Sequence, residues 1–123
     1  MIKRNYCIIC KEITGEELKK LPTDSFMLID IRDEYAFGYG HIDGAVNIPQ
    51  ASIDNNIPDL PKDKKLIICC KSGAISRETA DSLCEQGFEA YNLIGGYCEW
   101  LREKLENQEI TSGVEQSIRK KFS

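Results

Sequence analysis

The sequence has no basic surplus, no long apolar run, no internal repeat and only one histidine. Each shortage narrows what the chain can be. Its Lys and Arg number 16 against 20 Asp and Glu, a formal net charge of -4 with a pI of about 5.1. Without surplus positive charge to neutralise phosphates, nucleic acid is not expected as a partner. No stretch is long and apolar enough to span a bilayer, so no membrane partner is expected either. The first apolar run, Tyr6 to Cys10, is too short for a signal-peptide core and gives way at once to Lys11 and Glu12. That pattern reads as a cytoplasmic protein.

What is present is an ordinary globular balance, 41% hydrophobic and 29% charged over 123 residues, enough to bury one real core. The 6 cysteines suggest a disulfide set at first sight, but no export signal supplies the context for one. Cys7 and Cys10 make a C-x-x-C, and Cys69 and Cys70 are neighbours, so a zinc site from the two pairs is conceivable. However, Tyr6 to Cys10 reads as a strand, in which residues three apart point to opposite faces. No metal is therefore expected, and Cys7, Cys10, Cys84 and Cys98 are read as small buried hydrophobes.

Three short apolar runs stand out: Phe26 to Ile29, Leu66 to Cys69 and Ala90 to Ile94. The first two are continuous rather than alternating, as in strands covered on both faces of a parallel sheet. Helical segments separate and follow them. Thr14 to Leu21 begins with a Thr cap and carries Leu18 and Leu21 on one side. Ser76 to Gln86 is read with Ser76 as its cap and closes at Gly87, with Phe88 placed to touch Leu83. Tyr97 to Leu105 follows Gly95-Gly96. Ala51 to Lys65 reads as a connection with one short helical turn. The alternation predicts an α/β domain with a mainly parallel sheet over residues 1–105. In the tail, 106–123, Ile110, Val114, Ile118 and Phe122 recur every four residues and predict one more amphipathic helix. It packs on its own domain in the simpler reading. In the other it makes a homodimer surface.

The chemistry gathers where the second run ends. Leu66 to Cys69 delivers Cys70 to the carboxyl end of a strand, where open α/β sheets bind ligands. Lys71, Ser72, Gly73, Ala74 and Ile75 follow, and a helix starts near Ser76. Small residues let the backbone N–H groups turn inward as an anion nest. A helix N-terminus and the charge of Lys71 add to it. Each feature favours thiolate over thiol, so the Cys70 pKa is expected to be depressed and residues 71–76 to hold an anionic substrate. The alternative is that Cys70 is only a small residue closing a buried strand. Cys69 competes as the nucleophile, but strand alternation turns it away from Cys70 and into the core.

Four segments, in order, resemble the rhodanese family. Leu28-Ile29-Asp30-Ile31-Arg32-Asp33 is similar to its hydrophobic-D-x-R segment. Gly40-His41-Ile42-Asp43-Gly44-Ala45-Val46-Asn47-Ile48-Pro49 is similar to its G-H-I-x-G-A-x-N-I-P signature. Cys70-Lys71-Ser72-Gly73 with Ser76 resembles the active loop. Gly87-Phe88 and Gly95-Gly96-Tyr97-Cys98-Glu99-Trp100 resemble the closing G-F and G-G-x-x-x-W. The resemblance runs from about Ile13 to about Leu101.

It implies a five-stranded, mostly parallel sheet with helices on both faces. It also implies a sulfurtransferase in which Cys70 takes a sulfane sulfur from thiosulfate or a persulfide, and passes it to a thiol or cyanide-type acceptor. The donor and acceptor would be small molecules or a protein thiol, with no metal or organic cofactor. His41, which alone would invite a Cys–His pair, is structural in that family, and Asp30 with Arg32 is expected as a buried or half-buried polar pair. One departure is Ile75, where many active members carry Arg. A cysteine phosphatase or arsenate reductase would need C-x5-R, and neither Cys69 nor Cys70 has an Arg in that register. A non-catalytic interaction module is the remaining alternative, although such modules often lack the cysteine kept here.

Overall fold

The computed structural model describes residues 10–116, with side chains to Asn107. Among these, five strands form one sheet: β1 (Lys11–Ile13), β2 (Phe26–Asp30), β3 (Val46–Asn47), β4 (Lys65–Cys69) and β5 (Glu89–Leu93). The order is β1-β5-β4-β2-β3 and every pairing is parallel. The helices are α1 (Gly15–Lys19), α2 (Glu34–Tyr39), α3 (Ile53–Asn56), α4 (Ala74–Glu85) and α5 (Gly96–Gln116). Two 3-10 turns, Gln50–Ser52 and Ile57–Asp59, flank α3.

The central strands build two cores because successive side chains leave opposite faces. Leu66, Ile68 and Cys70 join Ile29, Ile31, Ala80, Leu83 and Phe88 on the α3–α4 side. Ile67 and Cys69 join Leu28, Leu18 and Leu93, with Trp100 and Tyr97 packed beside them, on the α1–α5 side. Continuous apolar strands are therefore required, as expected for a sheet covered on both faces.

Local signals set the helix ends. Thr14 accepts from Glu17 N–H at 3.0 Å while Glu17 accepts from Thr14 N–H at 2.9 Å, closing a capping box on α1. α4 ends as expected: Phe88 N–H donates to Leu83 O and Gly87 N–H to Cys84 O, with Gly87 at φ +97°.

Several expectations need correction. Ser76 does not cap α4; Gly73 takes that place at φ +97°, and Ser76 sits fully buried within the first turn. The strand expected over Tyr6 to Cys10 does not include Cys10, which lies in a bend; β1 covers Lys11–Ile13, and Tyr6 and Cys7 lie outside the described residues. α5 runs on unbroken from Gly96 to Gln116, so among the described residues no separate helix begins after residue 105. A chain with no Gly or Pro between Tyr97 and Thr111 has nothing there to stop it. Ile118 and Phe122 of the tail pattern lie outside the described residues. Cys98 is exposed rather than buried, and Cys84 is half-buried.

Candidate active site

The loop joining β4 to α4 is shaped by where its carbonyls go. Tyr97 N–H, in the first turn of α5, donates to Cys70 O at 2.8 Å, and Cys98 N–H donates to Lys71 O at 2.9 Å. A helix's first amides have no partner within the helix, so they are free to take these carbonyls. With the carbonyls held on that side, the amides of the loop face the other way, onto the sulfur. Gly73 N–H lies 3.1 Å from Cys70 Sγ and Ser76 N–H lies 3.3 Å away. Two glycines make this approach possible. Gly96, at φ +58°, has no room for a Cβ beside the carbonyls of Cys70 and Lys71. Gly73 stands against Gly95 N and Leu93 O.

Burial pushes the Cys70 thiol up, but hydrogen bonds from the Ser76 side chain and from the amides of Ser76, Gly73 and Ser72 outweigh it. The pKa lies below the ordinary thiol value of 9.0. Cys69, on the opposite face, is pushed up to about 12, by burial first and then by Asp30. Its Sγ donates to Cys70 O at 3.4 Å. Of the two neighbours, only Cys70 is in a thiolate-forming environment.

The residues expected to bind substrate divide into two groups. Gly73 and Ser76 are buried against the sulfur, whereas Lys71, Ser72, Ala74 and Ile75 are exposed around it. Ile75 is 51% exposed. Arg77, the nearest cation along α4, does not replace the missing Arg: its guanidinium pairs with Glu12 at 3.0 Å. His41 Nδ1 donates to Phe37 O, 2.8 Å away, and the ring stacks on Phe37 with centroids 3.7 Å apart. Those contacts keep it on its own turn. Arg32 holds Asp30 through two nitrogens, and its Nη2 also donates to Gly40 O at 2.7 Å. This is the expected polar pair, with Asp30 buried and Arg32 half-buried, extended by the Tyr97 ring lying 4.4 Å from the guanidinium.

Sequence reasoning missed a second tier. Asn92 on β5 is buried, and by alternation it points with Ala90 toward α4, where Ser76 Oγ donates to its Oδ1 at 2.5 Å. Glu12, directly opposite Asn92 in the sheet, accepts from Asn92 Nδ2 at 3.0 Å. No local motif announces a contact between residues so far apart in sequence.

Comparison with known proteins gives one consistent answer. Residues 14–103 match the model of the Rhodanese-like domain family. Thiosulfate sulfurtransferase GlpE of Shewanella oneidensis is 40% identical over 77 residues, which span 62% of this chain and 76% of that protein. The protein of the same name from Haemophilus influenzae is 34% identical over 96 residues, 77% of this chain and 91% of its own. Among solved structures, a rhodanese-related protein from Thermoplasma volcanium aligns with a TM-score of 0.70 at 24% identity, covering 76% of this chain and 92% of that one. At that identity the likeness speaks for the fold.

Proposed function

The chain belongs to the rhodanese-like domain family, and on that premise we propose that it is a sulfurtransferase whose sulfur carrier is Cys70. The observation that carries this reading is the sulfur of Cys70 held under two backbone N–H groups, with its pKa depressed. The Cys70 thiolate attacks the outer sulfur of a donor such as thiosulfate. The donor's S–S bond breaks, sulfite leaves with the electron pair, and Cys70 carries a persulfide. A nucleophilic acceptor, cyanide or a thiolate, then attacks the outer sulfur. That S–S bond breaks in turn and returns the electron pair to Cys70 as thiolate. Amides already aimed at the sulfur stabilise its charge in both halves without reorganising. Lys71, Ser72, Ala74 and Ile75, exposed around the sulfur, form the surface that donor and acceptor meet.

An oxyanion-clamping phosphatase is disfavoured, because the only Arg of this helix turn is engaged by Glu12. The test is thiocyanate formation from thiosulfate and cyanide, with intact mass after thiosulfate alone. Cys70→Ser is expected to abolish turnover and the one-sulfur mass gain, while Cys69→Ser keeps most of both. A dead Cys69→Ser with an active Cys70→Ser would move the chemistry to the other cysteine and overturn the reading.

A further inference from the structure

A hydroxyl has one proton to give, and Ser76 has two acceptors competing for it. On one side is Cys70 Sγ at 3.2 Å; on the other is Asn92 Oδ1 at 2.5 Å. All three groups are buried, so water does not relieve the competition. The direction of the Asn92 amide is fixed from outside. The Glu12 carboxylate can only accept, so the amide nitrogen must face it, and the amide oxygen must face Ser76. Arg77 pairs with the same Glu12 oxygen at 3.0 Å and holds that carboxylate in place.

We propose that Asn92, oriented by Glu12, is a positioning residue that draws the Ser76 hydroxyl proton away from Cys70 and so sets how readily Cys70 ionises. With the proton on Asn92, Ser76 Oγ offers the sulfur only lone pairs, which suit a thiol S–H. When Cys70 becomes thiolate, the hydroxyl must turn to donate to it, leaving Asn92 Oδ1 without a partner. In the persulfide the inner sulfur is neutral and the hydroxyl returns to Asn92. When the acceptor takes the outer sulfur, the hydroxyl swings back to the leaving thiolate. The two backbone amides act in every state; the hydroxyl acts only on the charged one.

The ion pairs on the surrounding elements are Asp30 with Arg32 on the β2 side, Glu12 with Arg77 between β1 and α4, and Glu99 with Arg102 on α5, while Glu78 and Asp81 lie further along α4. Lys71 is exposed in the loop itself, and Cys69 and Tyr97 are the titratable neighbours. None of these changes charge when the neutral Asn92 is replaced, so a shift in Cys70 reports the hydrogen bond.

The consequence for turnover rests on the sulfurtransferase reading, but the test does not, because it needs no donor. The alkylation rate of Cys70 by iodoacetamide is followed against pH, with the modified peptide resolved by mass spectrometry. Asn92→Leu is expected to lower the Cys70 pKa by about one pH unit, a roughly tenfold gain in thiolate below it. Asn92→Asp, which keeps an acceptor toward Ser76, is expected not to lower it. Glu12→Gln, at a partly exposed position, lets the Asn92 amide turn over and is expected to lower the pKa in the same direction. That shift should survive about 1 M salt, which screens a charge acting through solvent. Should Asn92→Leu not fold, Glu12→Gln decides alone. An unchanged or raised pKa in Asn92→Leu, or a Glu12→Gln shift that vanishes in salt, overturns the proposal.

Discussion

At the scale of single residues, the mouth of the site turns on Ile75. Thiosulfate is a dianion approaching a thiolate, and the repulsion has to be offset by positive charge nearby. Lys71 and the loop amides offer part of it. Arg77 is spent on Glu12, so position 75 presents an apolar side chain where a second cation would help. Two opposite charges about 4 Å apart near a surface attract by a few kcal/mol before screening, and about 1.4 kcal/mol is already tenfold in rate. Ile75→Arg is therefore expected to raise kcat/KM for thiosulfate by about tenfold, with little change for an uncharged persulfide donor. Equal gains with both donors in steady-state assays would show that the new charge acts on Cys70 rather than on the substrate. Cys70, its loop and the Asp30–Arg32 pair could be read from the sequence because each lies within a few neighbouring positions. Asn92 could not: its partners are 16 residues away at Ser76 and 80 away at Glu12. Only strand order brings them together.

At the scale of elements, the active loop depends on α5 as much as on α4. The first amides of α5 hold the loop's carbonyls, and Gly96 lets them approach. Gly96→Ala places a side chain at φ +58° against the carbonyls of Cys70 and Lys71. It is expected to cost about 1–3 kcal/mol in urea unfolding and to reduce thiocyanate formation by tenfold or more. Unchanged turnover would mean that the carbonyl tether is dispensable. The elements also differ in how visible they are in sequence. β2, β4 and β5 carry buried runs. β1 and β3 have three and two residues at the sheet's edges, mostly exposed, and show no run to find. α2 buries none of its residues and is started by the Asp33 side chain accepting from Ala36 N–H at 2.8 Å, so it has no apolar stripe to signal it. Ser76 reads as a cap from sequence because Ser is a common N-cap, but the left-handed conformation that Gly73 adopts supplies the turn instead.

At the scale of the whole molecule, the thiols make stability depend on alkaline pH. Cys10 and Cys69 are each pushed up to about 12, burial being the main cause, with Asp81 adding at Cys10 and Asp30 at Cys69. Unfolded, both ionise near the ordinary 9.0. Their contribution is thus full below about pH 9 and is lost as pH rises toward 12, because the unfolded chain gives up protons the folded one keeps. Tyr91, also raised to about 12, adds to the loss from about pH 10 upward. Cys70 has the opposite sign: its depressed pKa favours the folded state above the unfolded value, and that gain disappears as pH falls through the folded pKa. Two buried thiols and a tyrosine outweigh one active-site thiol. The urea midpoint is expected to fall from about pH 9 to about pH 11, and less steeply in a Cys10→Ala/Cys69→Ala variant. Parallel curves for the two proteins would refute this assignment.

The placement of Cys69 and Cys70 on opposite faces of the sheet also governs how the protein meets oxidants. A cysteine converted to sulfenic acid is commonly rescued by a second thiol that closes a disulfide. Cys69 sits in the α1–α5 core and Cys70 in the α3–α4 core, with β4 itself between their sulfurs. Cys69 is moreover protonated at any ordinary pH. Peroxide treatment is therefore expected to yield Cys70 as sulfinic acid, or as a mixed disulfide when glutathione is present, and no Cys69–Cys70 bond in the peptide map. The neighbour in sequence is thus no guard for Cys70 against irreversible oxidation, whereas a sulfur already resting on Cys70 would be one.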